Sequence, residues 1–255
     1  MLPRLIPLIL IENGRAVHTV RFGRGEYLGD PLNMARLFSG FGADELMILD
    51  RSQSSRANVL TSGGLARMSR EVFAPISYGG GLRSQSDVAL AFKSGADKVV
   101  FRSDRVESAR LIPWACSEFG AQAVAVCINY GPIRSFFRGN SGSHPRKVVE
   151  QAVRFTEMGA GEVLVQNVSR VGTKVGLDTK AMTEVRESVT VPVVISGGAS
   201  SPLDIDNAFR EGFSGVAIST LFSLDHRSSS PLISYYSDEE KQEFNWLQPS
   251  SNGKS

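Results

Sequence analysis

The chain has 255 residues, 42% of them hydrophobic and 21% charged, which is enough apolar material to bury one large core. Its formal net charge of +2 is too balanced to indicate a nucleic-acid partner or an acidic membrane surface, and no apolar run approaches the ~20 residues of a membrane span. The two cysteines and the short apolar start, which a turn at Glu12–Gly14 ends, favour a reduced cytoplasmic protein without a signal peptide.

Short apolar, β-branched segments alternate with segments of helical periodicity along the chain. The first kind predicts eight strands, at Leu5–Ile11, Glu45–Leu49, Ile76–Tyr78, Lys98–Phe101, Ala123–Ile128, Glu162–Val165, Val193–Ser196 and Gly215–Ile218. The second kind predicts eight helices, at Leu32–Phe41, Leu60–Phe73, Gln85–Ser94, Glu107–Phe119, Pro145–Met158, Asp178–Ser188, Pro202–Glu211 and Asp238–Trp246. Four glycines stand between a helix and the next strand, as is typical of left-handed helix ends: Gly42, Gly95, Gly159 and Gly212.

Two of the predicted loops are longer than the others, Arg15–Pro31 after the first strand and Tyr130–His144 after the fifth. Loops that follow strands carry the active site in barrels of alternating strands and helices. The Ser/Gly/Pro-rich segment Gln248–Ser255 predicts a disordered tail, which leaves residues 1–247 as a single domain. His144 and His226 have no partner at metal-ligand spacing, and we expect neither a metal nor a cofactor.

The second half of the chain repeats the first at a constant offset. Gly42–Leu46 reappears as Gly159–Val163, 117 residues later, and Gly80-Gly81 meets Gly197-Gly198 at the same offset. A half-chain of alternating strands and helices that is used twice predicts a closed sheet whose ends meet. The predicted fold is therefore α/β, a TIM (β/α)8 barrel built from two half-barrels, and the length agrees with the roughly 250 residues of such a barrel.

Each half carries a glycine-rich turn after an apolar strand, together with hydroxyl groups at the end of a neighbouring strand. Glycines let backbone N–H groups approach a phosphate, and hydroxyls add donors. Tight turns alone would explain the glycines, but the pairing recurs at one offset and favours two phosphate sites for an elongated phosphorylated small molecule. The predicted ligands are Gly80, Gly81, Arg102 and Ser103 in one site, and Gly172, Thr173, Gly197, Gly198, Ser219 and Thr220 in the other.

The motifs between Arg4 and Phe222 resemble those of the HisF family, the cyclase subunit of imidazole glycerol phosphate synthase. The similar segments are Arg4–Pro7, Gly29–Pro31, Asp44–Leu46, Gly79–Gly81, Gly95–Val99, Gly172–Lys174 and Ser196–Gly198. This resemblance implies the barrel fold and the two phosphate sites.

The catalytic pair of aspartates of that family is missing. By the resemblance, the first falls at Leu10 and the second at Asn129, while the family's loop lysine falls at His18. The aspartates of the sixth-strand loop fall at Ser169 and Val171. Leucine transfers no proton and asparagine only forms hydrogen bonds, whereas ring closure needs a general acid and a general base. We therefore expect the ring-closing activity to be lost.

Charged residues at the floor of the barrel are retained. In the family, four such residues gate ammonia that arrives from a docked glutaminase, and the resemblance places them at Arg4, Glu45, Lys98 and Glu162. Asp97 matches an acidic position that faces the glutaminase. Strand-start charges are common on any surface, but four charges of alternating sign from separate strands favour a gate.

One branch of the family shares two of these features. Leu10 and the loop Arg21–Pro31 resemble second-copy HisF-like proteins of the WbuZ kind, from bacterial surface-polysaccharide clusters. The resemblance implies a HisH-like glutaminase partner and a sugar amidotransferase that converts an acetamido to an acetamidino group. Asp50 is then either a charged group at the mouth or a structural carboxylate at a strand end. The pair Phe136-Phe137 either packs within the protein or contacts a partner protein.

Two alternatives stay open beside ammonia delivery for sugar amidation. One is a working histidine-pathway cyclase whose acid and base have moved, against which Leu10 and Asn129 count. The other is a non-catalytic scaffold that activates a glutaminase and binds a phosphorylated effector, against which the four retained floor charges count.

Overall fold

In the computed structural model, eight parallel strands close into a barrel. The structure describes residues 2–54, 57–131, 145–225, 230–244 and 246. The strands in chain order are β1 (Arg4–Glu12), β2 (Arg15–His18), β3 (Glu26–Gly29), β4 (Leu46–Asp50), β5 (Ile76–Gly79), β6 (Lys98–Arg102), β7 (Val124–Tyr130), β8 (Glu162–Asn167), β9 (Val193–Ser196) and β10 (Gly215–Ile218). The barrel order is β1, β4 and onward to β10, and β10 pairs in parallel with β1 to close the sheet. This closure confirms the predicted TIM barrel.

The predicted long loop Arg15–Pro31 contains two strands that the periodicity did not reveal. β2 pairs antiparallel with β1, and β3 pairs antiparallel with β2, so the segment is a hairpin outside the barrel. At its tip Arg21 and Phe22 take positive φ values of 51° and 59°. The Arg21 N–H donates to the Val171 carbonyl at 2.9 Å, which fastens the tip to the loop after β8. Unlike the buried, apolar strands of the barrel, β2 begins with the exposed Arg15 and β3 with the exposed Glu26 and Tyr27, so neither segment forms an apolar run.

The helices surround the barrel. They are α1 (Pro31–Gly40), α2 (Gly64–Ser69), α3 (Gln85–Lys93), α4 (Ser108–Phe119), α5 (Pro145–Glu157), α6 (Thr179–Ser188), α7 (Pro202–Arg210), α8 (Thr220–Ser223) and α9 (Asp238–Glu243). The helix predicted at Leu60–Phe73 is shorter because the left-handed Gly63, with φ +77°, precedes its first turn. Among the described residues, none of the helices is long and apolar enough to cross a membrane.

The internal repeat is visible in the helix caps. Ser84 and Asp87 form a capping box at the start of α3, and Ser201 and Asp204 form the same box at the start of α7. The glycines predicted at helix ends all have positive φ, between +75° and +104°. Corresponding turns in the two halves therefore use the same local chemistry.

The interior of the barrel is apolar and separate from the larger core between sheet and helices. Alternate residues of the strands point inward and form one buried cluster of Ile6, Leu8, Met47, Val100, Ala125, Cys127, Leu164, Val194 and Ala217. This cluster separates a charged floor from the mouth, where the strands end. The tail Gln248–Ser255 and the pair Phe136-Phe137 lie outside the described residues.

Candidate functional site

Four charged side chains meet at the floor of the barrel. Arg4 donates to both Glu45 and Glu162. The Lys98 Nζ lies 2.9 Å from Glu162 Oε1 and 3.4 Å from Glu45 Oε1. Each carboxylate therefore contacts both cations, and the four residues form a closed floor ring.

The floor ring is buried and electrically balanced. Glu45 and Glu162 are each only 4% exposed. Burial by itself lowers the pKa of Arg4, but Glu162 and Glu45 outweigh this and raise that pKa above its ordinary value. The Ser77 hydroxyl also donates to Glu45. The sequence analysis missed Ser77, although its inward position in β5 follows from the alternation of a strand.

At the mouth, the two positions of the expected acid and base hold groups that do not titrate. Leu10 pairs with Leu49 across β1 and β4. Asn129 accepts a hydrogen bond from the Cys127 thiol, with 3.7 Å between Sγ and Oδ1. Burial raises the pKa of Cys127 to about 12, so the thiol stays protonated near neutral pH. Leucine has no titratable group and an amide stays neutral near neutral pH, so neither side chain offers an acid or a base.

Asp50 has a structural environment. The residue is 6% exposed and accepts hydrogen bonds from the backbone N–H groups of Ser52 at 2.8 Å and Val59 at 2.6 Å. Both carboxylate oxygens therefore hold the loop after β4. This geometry favours the structural alternative over a charged group offered to a ligand.

His18 lies buried beside the loop that follows β8. The backbone at Gly172 packs against the imidazole, because a Cβ atom added to that glycine would lie 3.0 Å from His18 Cε1. Burial lowers the pKa of His18 from its ordinary value of 6.5, Glu26 opposes this, and Lys174 lowers it further. The imidazole is therefore neutral at neutral pH, unlike the lysine that the family has at the corresponding position.

The first glycine-rich turn leaves one hydroxyl available. A Cβ atom at Gly80 would lie 1.9 Å from the Asp50 carbonyl oxygen, so only glycine fits there. The Ser103 N–H donates to the backbone carbonyl of Cys127 at 3.0 Å. The Ser103 hydroxyl has no hydrogen-bond partner in the described part of the chain. Arg102 forms a bidentate pair with Asp104, with donor–acceptor distances of 2.9 and 2.6 Å.

The second turn has the same character. Gly197 and Gly198 have φ values of +99° and +102°. The Thr173 hydroxyl donates to the Arg170 carbonyl at 2.7 Å. The hydroxyls of Ser219 and Thr220 make no hydrogen bond within the residues that the structure describes. Each predicted phosphate site thus contains glycines close to a strand end and at least one available hydroxyl.

The face below the floor ring carries both polar and apolar groups. Asp97 is exposed, and one of its carboxylate oxygens accepts a hydrogen bond from the Ile76 N–H at 2.8 Å. Phe73 is 99% exposed and lines the same shallow pocket as Asp97. Asp97 and Phe73 are therefore neighbours on the surface below the floor ring.

Known proteins resemble this chain along most of its length. The model of the histidine biosynthesis protein family matches residues 4–227. The chain is 34% identical over 228 residues to imidazole glycerol phosphate synthase subunit HisF of Alkaliphilus metalliredigens, covering 88% of this chain and 90% of that protein. It is 35% identical to the subunit of the same name from Streptomyces griseus, with coverages of 86% and 89%. The Caulobacter vibrioides subunit is also 35% identical, with coverages of 84% and 85%.

Proposed function

The chain belongs to the histidine biosynthesis protein family, and from that premise we propose that it is the barrel subunit of a glutamine-dependent complex. In this proposal a HisH-like glutaminase docks below the floor ring and supplies ammonia, which crosses the barrel and leaves at the mouth. The chain itself carries out no ring closure.

The floor ring is the observation that carries this proposal. Its two carboxylates are almost completely buried, and desolvating ion pairs costs about as much free energy as their attraction returns. Stability is therefore a weak reason for four interlocked charges at this place. Transfer of ammonia is a stronger reason, because moving one side chain of the ring would open a path for a small neutral molecule into the apolar interior.

The mouth supports the loss of ring closure. Leu10 and Asn129 provide no acid and no base, and Asp50 already holds the backbone of its own loop. If ammonia leaves the barrel at this mouth, its acceptor must react with it on another protein or without an acid and a base from this chain. We propose the acetamido group of a surface-polysaccharide sugar as the acceptor, held by a separate amidotransferase, on the resemblance of Leu10 and the loop Arg21–Pro31 to the WbuZ branch.

A second candidate function is a working histidine-pathway cyclase. The names of the relatives favour it, since all three are imidazole glycerol phosphate synthase subunits. The available hydroxyls of Ser103 and Thr220 also suit a ligand with a phosphate at each end. The chemistry of Leu10 and Asn129 favours the first candidate.

Isotope competition tests the proposal. The full chain is combined with a HisH-like glutaminase, amide-¹⁵N glutamine and unlabelled ammonium, and supplied in parallel with the bis-phosphorylated histidine precursor or with an acetamido sugar nucleotide, ATP and the amidotransferase. We expect ¹⁵N in the amidinated sugar and no imidazole product. Imidazole formation would establish the cyclase instead, and equal labelling from glutamine and bulk ammonium would exclude transfer through the barrel.

A further inference from the structure

Lys241 is a buried lysine outside the floor ring. It lies in α9, and its side chain is only 3% exposed. Its Nζ lies 3.3 Å from Asp44 Oδ1 and 3.3 Å from the Gly42 carbonyl oxygen. The same Nζ lies 4.8 Å from the centre of the Tyr235 ring. A lysine is rarely buried to this degree unless its charge is paired, and here the pairing joins α9 to the residues that precede β4.

Asp44 and Tyr235 both hold the backbone of Leu5. The Leu5 N–H donates to Asp44 Oδ2 at 2.8 Å, and the Tyr235 hydroxyl donates to the Leu5 carbonyl at 2.8 Å. The parallel pairing of β1 with β4 begins only at Leu8, so at Leu5 these side chains take the place of a neighbouring strand. We call Lys241, Tyr235 and Asp44 the α9 clasp.

The α9 clasp is adjacent in sequence to one side of the floor ring. Leu5 follows Arg4, and Asp44 precedes Glu45. Arg4 donates to Glu45 at the barrel floor, whereas the Leu5 side chain belongs to the core between sheet and helices. Successive residues of a strand point to opposite faces. The backbone that carries Arg4 and Glu45 is therefore held from outside the barrel.

The other side of the ring has a related arrangement without the lysine. Asp97 precedes Lys98 and accepts from the Ile76 N–H at 2.8 Å, as Asp44 accepts from β1. Within the described residues Asp97 forms no ion pair, whereas Asp44 is paired with Lys241. The link to α9 is therefore particular to one side of the ring.

We propose that Lys241 is a positioning residue for the floor ring. It keeps Asp44 and Leu5 in place, and so limits how far Arg4 moves away from Glu45. Loosening the α9 clasp opens the ring on this side, and an intact clasp keeps it closed. The consequence for ammonia transfer rests on the proposed function, whereas the coupling of α9 to the ring is a property of this chain alone.

Hydrogen exchange in the isolated full-length chain tests the coupling. The exchange rates of the Arg4 Nε–H and the Leu5 N–H are measured by NMR on ¹⁵N-labelled protein. Arg4 Nε is buried without a hydrogen-bond partner among the described residues, so its exchange reports opening of the ring. The Val126 N–H, in β7 between two paired strands, reports global unfolding.

Lys241→Met removes the charge and retains most of the apolar side chain. Relative to Val126, we expect the Arg4 and Leu5 rates to increase about tenfold or more, because a hydrogen bond to a charged group contributes enough free energy for that factor. Rates that do not increase, or that increase only in proportion to Val126, overturn the inference, because a merely structural lysine would change all three alike.

Tyr235→Phe removes only the hydroxyl that holds the Leu5 carbonyl. It should increase the Arg4 and Leu5 rates by a smaller factor. If Lys241→Met does not fold, this variant decides alone by the same criterion.

Arg36→Met is the matched control. It removes a cation from the ion pair with Glu71, which lies outside the α9 clasp. Both exchange rates should remain as in wild type, and an increase in Arg4 exchange equal to that in Lys241→Met would overturn the inference.

The exchange experiment contains no glutaminase, so its outcome is separate from that of the proposed function. Channelling of glutamine nitrogen by the wild-type complex, with unchanged Arg4 exchange in Lys241→Met, would refute only the positioning role. Faster Arg4 exchange in Lys241→Met, with no channelling by the wild-type complex, would refute only the proposed function.

Discussion

Replacing Lys98 by alanine tests the floor ring most directly. Lys98 contacts Glu162 at 2.9 Å and Glu45 at 3.4 Å, and its side chain is 13% exposed. After the replacement, Arg4 still contacts both carboxylates and Ser77 still donates to Glu45. The ring is then open on one side and has a net charge of −1 instead of zero.

The remaining contacts limit the loss of stability. Breaking a buried ion pair outright costs about 3–5 kcal/mol. Since Arg4 still neutralises part of the charge, we expect Lys98→Ala to lower the free energy of unfolding by about 1–3 kcal/mol. That is a fraction of the roughly 5–15 kcal/mol of a native domain, and it corresponds to a decrease in Tm of about 2–10 °C. The variant should therefore be folded and measurable.

Isotope competition is the assay. In the complex with glutaminase, amide-¹⁵N glutamine and unlabelled ammonium compete for the acceptor, and Lys98→Ala should shift the product nitrogen towards the bulk pool. Amidation driven by ammonium alone should not change. Arg210→Ala, on the exposed face of α7, is the matched control and should behave as wild type. An unchanged ¹⁵N fraction in folded Lys98→Ala, and likewise in Glu162→Ala, would refute the gate and leave the four charges a structural role.

Three further predictions concern residues at the mouth of the barrel. The unmodified chain should not convert the bis-phosphorylated histidine precursor, even with saturating ammonium. The double variant Leu10→Asp with Asn129→Asp should recover a trace of this activity, and wild-type turnover within about tenfold of an ordinary cyclase would contradict the loss of acid and base. Crystals grown in phosphate should show an anion at both glycine-rich turns, and Ser103→Ala or Thr220→Ala should weaken only the density at its own turn; empty turns in a well-resolved map would contradict phosphate binding. Burial lowers the pKa of His18, so its NMR titration should have a midpoint below 6.5. The neutral imidazole should contribute fully to stability above pH 6.5, and this contribution should be lost as the pH falls through the lowered pKa. A midpoint at or above 6.5 would contradict the buried, neutral imidazole.

The sequence predicted the fold class because the relevant patterns are local. Short β-branched runs, helical periodicity and glycines at helix ends each depend on neighbouring residues, and the 117-residue offset shows that one arrangement is used twice. The structure shows the same repetition in the helix caps, where Asp87 and Asp204 belong to corresponding capping boxes. Local patterns failed for the hairpin in Arg15–Pro31, where β2 is held by pairing with β1 and β3 by pairing with β2 rather than by a pattern of their own.

The composition of the site depends on the register of the closed sheet. Arg4 and Glu162 are far apart in the chain and meet only because the barrel brings the starts of β1 and β8 to one level. Asn129 and Gln166 are far apart in the chain, and only the register of β7 and β8 makes them neighbours. The sequence by itself determined which side chains are present and which proton-transfer groups are lost at Leu10 and Asn129. The tertiary structure decided which of them touch, because contact between strands depends on register and closure, which no local periodicity encodes.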